Sequence, residues 1–443
     1  MLLASAAENL GAARAQMGLS LGWHIVFACF GVGFPGLILL AEWRGIRGDA
    51  DLMRLARRWA KVAGVLFAVG AVSGTILSFE MGLLWPGLMG TFGAVFGLPF
   101  ALEGFAFFIE AIFLGIYLYA WDRLPPRVHL ISGVPILVAG VASAFFVVTA
   151  NAWMNDPRGF TIAGRQVVNP QPLAAMFNNA TPVQTGHMIL AAFMVAGFAV
   201  AAVYAVAMLR GKRDRYHRVG LLLPLIIATV LTPPQIVVGD IAAREVAENQ
   251  PVKLAAMEGL AHAEAGAGEH IGGIYINDEL RYAIVLPHVL AFLAKGDANA
   301  TVAGLDAVPA NDRPQAVTLI HLAFDLMVAI GFLLLGLGLW LGVSGLRLRR
   351  APASKSFLRA VVVAGPAAAV AMECGWIVTE VGRQPWIVYQ VMRTEDAVNP
   401  APGLYWGLVA LVIVYSVLTV VTISVLRALS RHADATAAPQ ETG

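Results

Sequence analysis

Long apolar runs separated by short polar clusters dominate this chain. The runs lie near residues 20–43, 60–85, 98–121, 128–150, 187–209, 219–238, 317–343, 358–380 and 403–427. A helix needs roughly 20 apolar residues to cross a hydrocarbon core about 30 Å thick, and these windows are of that order. Backbone in hydrocarbon must pair its own N–H and C=O groups, so the pattern predicts helices. The expected fold class is therefore all-α, a polytopic transmembrane helix bundle of about nine spans. Basic residues mark alternate connections: Arg44, Arg47, Arg54, Arg57, Arg58 and Lys61 after the first span, Arg123 and Arg127 after the third, Arg210, Lys212, Arg213 and Arg215 after the fifth, and Arg347, Arg349, Arg350 and Lys355 after the seventh. By the positive-inside rule the N-terminus is outside and the C-terminus inside.

Two outer connections are long, at residues 151–186 and 239–316. Long ordered connections often carry function. Within the second, the stretch from Asp240 to Leu260 predicts a helix bearing Lys253 and Glu258 in an alanine-rich setting, and residues 264–273 hold the glycines of a turn. No internal repeat interrupts residues 1–443, which read as one membrane-embedded domain with a flexible tail at 432–443.

Composition sharpens this picture. In a chain of 443 residues, 58% hydrophobic against 13% charged excludes an ordinary soluble globule. The net charge of +2 leaves no basic footprint for nucleic acid. Cys29 and Cys374 lie in separate apolar runs without CxxC spacing, which predicts packing residues. The N-terminus has no signal-peptide pattern, so the first helix is expected to remain in the mature protein.

Ionisable side chains are costly in hydrocarbon and mark functional positions. With the orientation above, His24, Glu103, His187, Met327 and Glu380 come from five spans and fall in the outer half of the membrane. All five side chains are able to ligate haem iron, and a His/Met pair is the axial set of a six-coordinate, electron-transferring haem. Glu110 follows Glu103 by seven residues, about 700° of helix, on nearly the same face. That column suits a proton route. Each residue has a plainer use: an intramembrane His bonds a neighbouring helix, a Met fills a gap, and a Glu near a helix end snorkels. Their coincidence at one depth favours the haem reading. His129, His217 and His432 fall in inner connections or the tail and are expected to be solvated, whereas His288 and His321 are expected to be structural.

The motifs RAQMGLSLGWH, ending at His24, ALEGF and FFIEA, holding Glu103 and Glu110, WDRL from Trp121, ANAWM with Asn151, GWIVTE with Trp376 and Glu380, and GRQPW from Gly382 to Trp386 run through most of the chain. On these residues the chain resembles subunit I of the cytochrome bd quinol oxidases, and QPVKLAAMEG resembles that family's quinol-binding loop in its short form. The resemblance implies that His187 and Met327 are axial ligands of a low-spin haem b. It assigns His24 and Glu380 to two high-spin haems, one of b type and one oxygen-reducing, which is haem d or a further haem b. It further implies Glu103 beside the oxygen site, Lys253 and Glu258 at the quinol, and Lys61, Glu110, Asp122 and Asn151 on a proton path from inside. Arg14 and Arg383 suit haem propionates, because a guanidinium fork matches a carboxylate. The partners it implies are a second large subunit, a small single-span subunit, quinol, oxygen and lipid, in a bacterial cytoplasmic membrane.

Three positions depart from the family pattern. Asp325 stands two residues before Met327, where an arginine is common; an anion beside a haem favours its oxidised state and lowers its potential. The Glu103–Glu110 spacing is one residue shorter than in the long-loop branch, and Ala111 replaces a frequent hydroxyl. The expected activity is transfer of electrons from quinol to oxygen with net charge separation. Two rival readings are a divergent haem subunit with another donor or without oxygen reduction, and an ion or solute transporter. The absence of inverted repeats disfavours the transporter.

Overall fold

The computed structural model describes residues 2–164, 166–348 and 352–435. Nine of its helices are long and apolar enough to cross a membrane. They lie in α1 (Leu2–Ile46), α2 (Ala50–Leu84), α3 (Pro86–Tyr119), α4 (Pro126–Asn155), α6 (Thr181–Leu209), α7 (Arg215–Asn249), α10 (Val317–Leu348), α11 (Lys355–Val381) and α13 (Leu404–Ala435). Short helices α5 (Pro172–Met176), α8 (Pro251–Glu258), α9 (Val289–Lys295) and α12 (Thr394–Ala397) sit in the connections. Most of the helices begin before the apolar windows that signalled them, as α2 does at Ala50 and α3 at Pro86. Of the tail expected at 432–443, α13 includes the first four residues; residues 436–443, like Arg349 and Arg350, lie outside the described residues, as does the side chain of His432.

The all-α reading holds for the bundle, but the long connections also carry short antiparallel hairpins. Ile274–Ile276 pairs with Glu279–Arg281 around Asn277 and Asp278, whose φ values of 52° and 59° suit a tight hairpin turn. The helix expected from Asp240 to Leu260 is broken. Gln250 precedes a proline and leaves the helical region, at φ −137° and ψ 59°, which ends α7 and starts α8 at Pro251. Gly259, at φ +65°, ends α8 in turn.

Helix α6 lies at the centre because small residues admit its neighbours. A Cβ at Gly33 of α1 would come within 2.8 Å of Ala192 O, one at Gly197 within 2.8 Å of the Ala228 Cβ on α7, and one at Gly365 of α11 within 2.8 Å of the Ala202 Cβ. Without a hydrophobic drive between helices in lipid, such close approach supplies the van der Waals contact that joins them.

At the end with short basic connections, the structure overturns one expectation. His129 is buried rather than solvated, at 1% exposure. Its Nδ1 lies 2.7 Å from Glu42 Oε1, its Nε2 lies 2.9 Å from Tyr117 O, and Tyr117 Oη donates to Glu42 Oε2. Trp121 covers the ring at 4.1 Å between centroids. Nε2 donates to the Tyr117 carbonyl, and the bonds among His129, Glu42 and Tyr117 join α1, α3 and α4. His217 is only partly covered and pairs with Asp214 at 2.6 Å.

Removing one partner of the Glu42–His129 pair leaves the other buried without its bond. His129→Leu should cost about 3–5 kcal/mol, and Glu42→Met with His129→Leu should recover much of it. Thermal unfolding in detergent measures both, and a single variant as stable as the parent would show that the pair does not hold the bundle.

Candidate functional site

The haem-ligand candidates occupy glycine-lined places toward the end with long connections. His24 of α1 lies against Gly74 of α2, where a Cβ would come 3.0 Å from its Cε1. His187 of α6 lies against Gly239 of α7 at 3.2 Å, and the Met327 sulfur of α10 lies 3.2 Å from the Cβ position of Gly375 on α11. Each of these three ligand candidates thus faces a position kept free of a side chain.

The hydrogen bonds around His24 set its tautomer. Ser73 Oγ lies 3.0 Å from Gly70 O and 3.2 Å from Val69 O, and these carbonyls take its one proton. The hydroxyl oxygen must then accept from His24 Nδ1 at 2.9 Å. This leaves Nε2 with a free lone pair, the state an imidazole needs to bind a metal. Beside His187, Gln235 Nε2 lies 3.2 and 3.3 Å from the two ring nitrogens, and Gln235 Oε1 is buried without a partner.

Glu380 forms the centre of a second group. Arg383 Nη2 donates to Glu380 Oε2 at 2.7 Å, and Asn151 Nδ2 donates to Glu380 Oε1. Asn155 Nδ2 donates to Asn151 Oδ1 at 3.0 Å, and Lys253 Nζ donates to Asn155 Oδ1 at 2.6 Å. Arg14 Nη2 reaches Gln384 Oε1 at 2.7 Å. Arg383 is 2% exposed, yet its Nε and Nη1 have no partner. Burial depresses its pKa, opposed by Glu380. Unused donors on a buried guanidinium fit an anionic group such as a haem propionate. A cavity of about 180 Å³ opens here, lined by Lys253, Arg383, Gln384, Trp386 and Asp312 among others.

Lys253 and Glu258, expected to flank one ring, are buried at 4% and 2% exposure but point into different surroundings. Five residues turn a helix by about 500°, which sets them some 140° apart. Lys253 joins the Glu380 group, and burial lowers its pKa to about 7. Glu258 faces Glu269 and Asp325; burial first, then these carboxylates, raise its pKa.

The expected proton-path residues do not all meet. Glu110 packs on the Cβ positions of Gly31 and Gly140 at 3.5 and 3.6 Å, and Glu103 accepts from Ser143 Oγ at 3.2 Å. Lys61 and Asp122 are exposed at the opposite end, with Asp122 bonded to Arg57 at 2.8 Å. Asn151 belongs with Glu380 and not with Lys61. Trp376 packs partly buried against the main core.

Two acids in the membrane helices escaped the sequence reading, Glu80, which is buried beside Ser20, and Glu373, which is half-buried with Oε1 unbonded among the described residues. Their signal was a lone acid inside an apolar run, in LSFEMG and AMECGW. Asp325 also differs from expectation. It stands two residues, about 200°, from Met327 and so on the opposite side of α10, and it accepts from Gly272 N at 2.6 Å.

A nine-helix membrane bundle with glycine-lined His and Met sites and buried unpaired donors is of the class of multi-pass, haem-binding respiratory subunits. The model of the cytochrome bd terminal oxidase subunit I family matches residues 12–434, and the chain belongs to that family. It is 36% identical over 428 residues to a putative cytochrome bd menaquinol oxidase subunit I of Bacillus subtilis, covering 95% of this chain and 96% of the relative. A cytochrome bd ubiquinol oxidase subunit 1 of the same organism is 30% identical, with 93% and 91% covered. The solved bd oxidase of Geobacillus thermodenitrificans superposes with a TM-score of 0.90 at 38% identity, over 96% of this chain and 98% of that one. The protein is a subunit of a haem-containing terminal oxidase that passes electrons from quinol to oxygen, and the transporter reading falls away.

The Lys253 shift has a definite sign. Between about 7 and its usual 10.5, the unfolded chain binds a proton that the folded chain does not, so this residue makes stability rise with pH across that window. Lys253→Met should flatten the rise, measured as the thermal midpoint in detergent from about pH 7 to about pH 10. Parallel pH profiles for the variant and the parent would contradict it.

Proposed function

We propose that His187 and Met327 are the axial ligands of a low-spin haem b, and that His24 and Glu380 serve two high-spin haems, one of b type and one that is haem d or a further haem b. The observation that carries this reading is the His24–Ser73 geometry, which leaves Nε2 with a free lone pair on a ring packed against Gly74. Arg383, with Arg14 behind Gln384, is suited to propionates. Bound haem supplies one-electron steps and oxygen chemistry; the chain orients it and handles protons.

Lys253 and Glu258 approach the quinol from separate polar groups, and Glu258 Oε2, buried without a partner, offers an acceptor for a quinol hydroxyl. Two quinols and one oxygen give two quinones and two waters. With the N-terminus outside, quinol protons leave at the long-connection end and the protons consumed arrive from the basic end, with Lys61 and Asp122 at the entrance and Glu110 and Glu103 within. A potential then forms without a pumping cycle. The partners are a second large subunit, a small single-span subunit and lipid, in a bacterial cytoplasmic membrane.

A reduced-minus-oxidised spectrum of the purified protein tests the reading; absent haem bands would end it. His187→Ala or Met327→Leu should remove the low-spin band while much of the high-spin absorbance stays, since each supplies one bond to one iron. A low-spin band that survives both substitutions would refute that pairing. Lys253→Ala with Glu258→Ala should cut quinol-driven turnover by at least about tenfold, the scale of one lost charge-assisted hydrogen bond, with the haem spectrum kept. Parental quinol kinetics would move the site elsewhere.

A further inference from the structure

One face of α10 is bonded to the 239–316 connection. Thr318, His321 and Asp325 recur at i, i+3 and i+7, the spacing of a single helical stripe. Thr318 Oγ1 accepts from Tyr275 N at 3.0 Å and donates to Tyr275 O at 3.3 Å. His321 is fully buried, with Nδ1 2.7 Å from Met257 O and Nε2 2.8 Å from Gly272 O. Both ring nitrogens of His321 therefore face backbone carbonyls of the connection. Asp325 Oδ2 lies 3.5 Å from His321 Nε2 and accepts from Gly272 N at 2.6 Å.

The two side chains thus hold both edges of the segment that carries Glu258 and Glu269. Met257 is the residue before Glu258, and Gly272 follows the strand Glu269–Ile271. Inside that segment His270 Nδ1 bonds Glu258 O at 2.9 Å. Freed of these ties, the segment would have to be ordered by the arriving quinol, and binding would bear that cost.

We propose that His321 and Asp325 form a clamp that positions the connection for quinol, a role that rests on the reading of this connection as the quinol site. They are positioning residues: Asp325 serves the Gly272 amide and lies beside His321, on the side of α10 away from Met327.

Quinol kinetics of the assembled oxidase in membranes test this, with the low-spin band recorded alongside. Asp325→Ala removes the acceptor and should raise the quinol KM about tenfold while kcat changes less than about threefold and the band persists. Asp325→Asn keeps an acceptor oxygen and should stay within about threefold of the parental KM. His321→Gln keeps two amide donors and offers a second, gentler variant that should raise KM less than His321→Ala. An unchanged KM in both Asp325→Ala and His321→Ala overturns the clamp, as does an equal rise in Asp325→Asn and Asp325→Ala or a loss of the low-spin band. The Lys253→Ala, Glu258→Ala double variant separates the two levels. If it raises KM and the clamp variants do not, the clamp alone fails; if it leaves KM at the parental value, the quinol-site reading fails and the clamp with it.

Discussion

A glycine or alanine at each crossing lets α6 lie directly against α1, α7 and α11, and the positions of the ligand candidates follow from that closeness. A Cβ at Gly33, Gly197 or Gly365 would meet atoms at 2.8 Å, so a larger residue at any of them must push helices apart. Gly239 and Gly375 do the same for side chains, leaving His187 and Met327 room at the helix surfaces. One rule of packing therefore builds the bundle and shapes its cofactor spaces.

Polar groups divide into two populations along the bundle. At the basic end, Glu42, Tyr117 and His129 use their hydrogen-bonding capacity on one another, and hydrocarbon tolerates them because the group is neutral as a whole. Toward the long connections, Gln235 Oε1, Glu258 Oε2, Glu373 Oε1 and two nitrogens of Arg383 are buried and unmatched. Leaving buried polar atoms unmatched costs stability, and sites that must receive a cofactor or substrate are where that cost is accepted. The contrast separates polar residues that satisfy one another within the fold from those left with capacity to bind something else.

The two acid-base groups in the 239–316 connection make a further division of labour. Lys253 is tied through Asn155 and Asn151 to Glu380, while the Glu258 backbone bonds His270 and its segment is tied to α10 at Met257 and Gly272. The short helix α8 is thus the bridge between two regions that the membrane helices alone keep apart.

Much of this was legible in the chain itself. Span number, the all-α bundle and the family followed from apolar run length and from motifs such as GRQPW, because burial in lipid leaves a one-dimensional trace and ligand residues sit in fixed local contexts. The break at Gln250–Pro251 had a local signal too, the residue before a proline. Other features had none. His129 looked solvated because it follows a basic connection, and only the fold of Trp121 over it and the approach of Glu42 from α1, 87 residues away, made it a buried pair. Asp325 has the Gly272 amide as its partner, because about 200° of helix turn sets it apart from Met327 and the connection folds back to meet it. Asn151 bonds Glu380, 229 residues away. Sequence alone determined which residues must be buried and which elements they form, whereas partners for buried polar groups come from remote helices and are decided only when those helices pack.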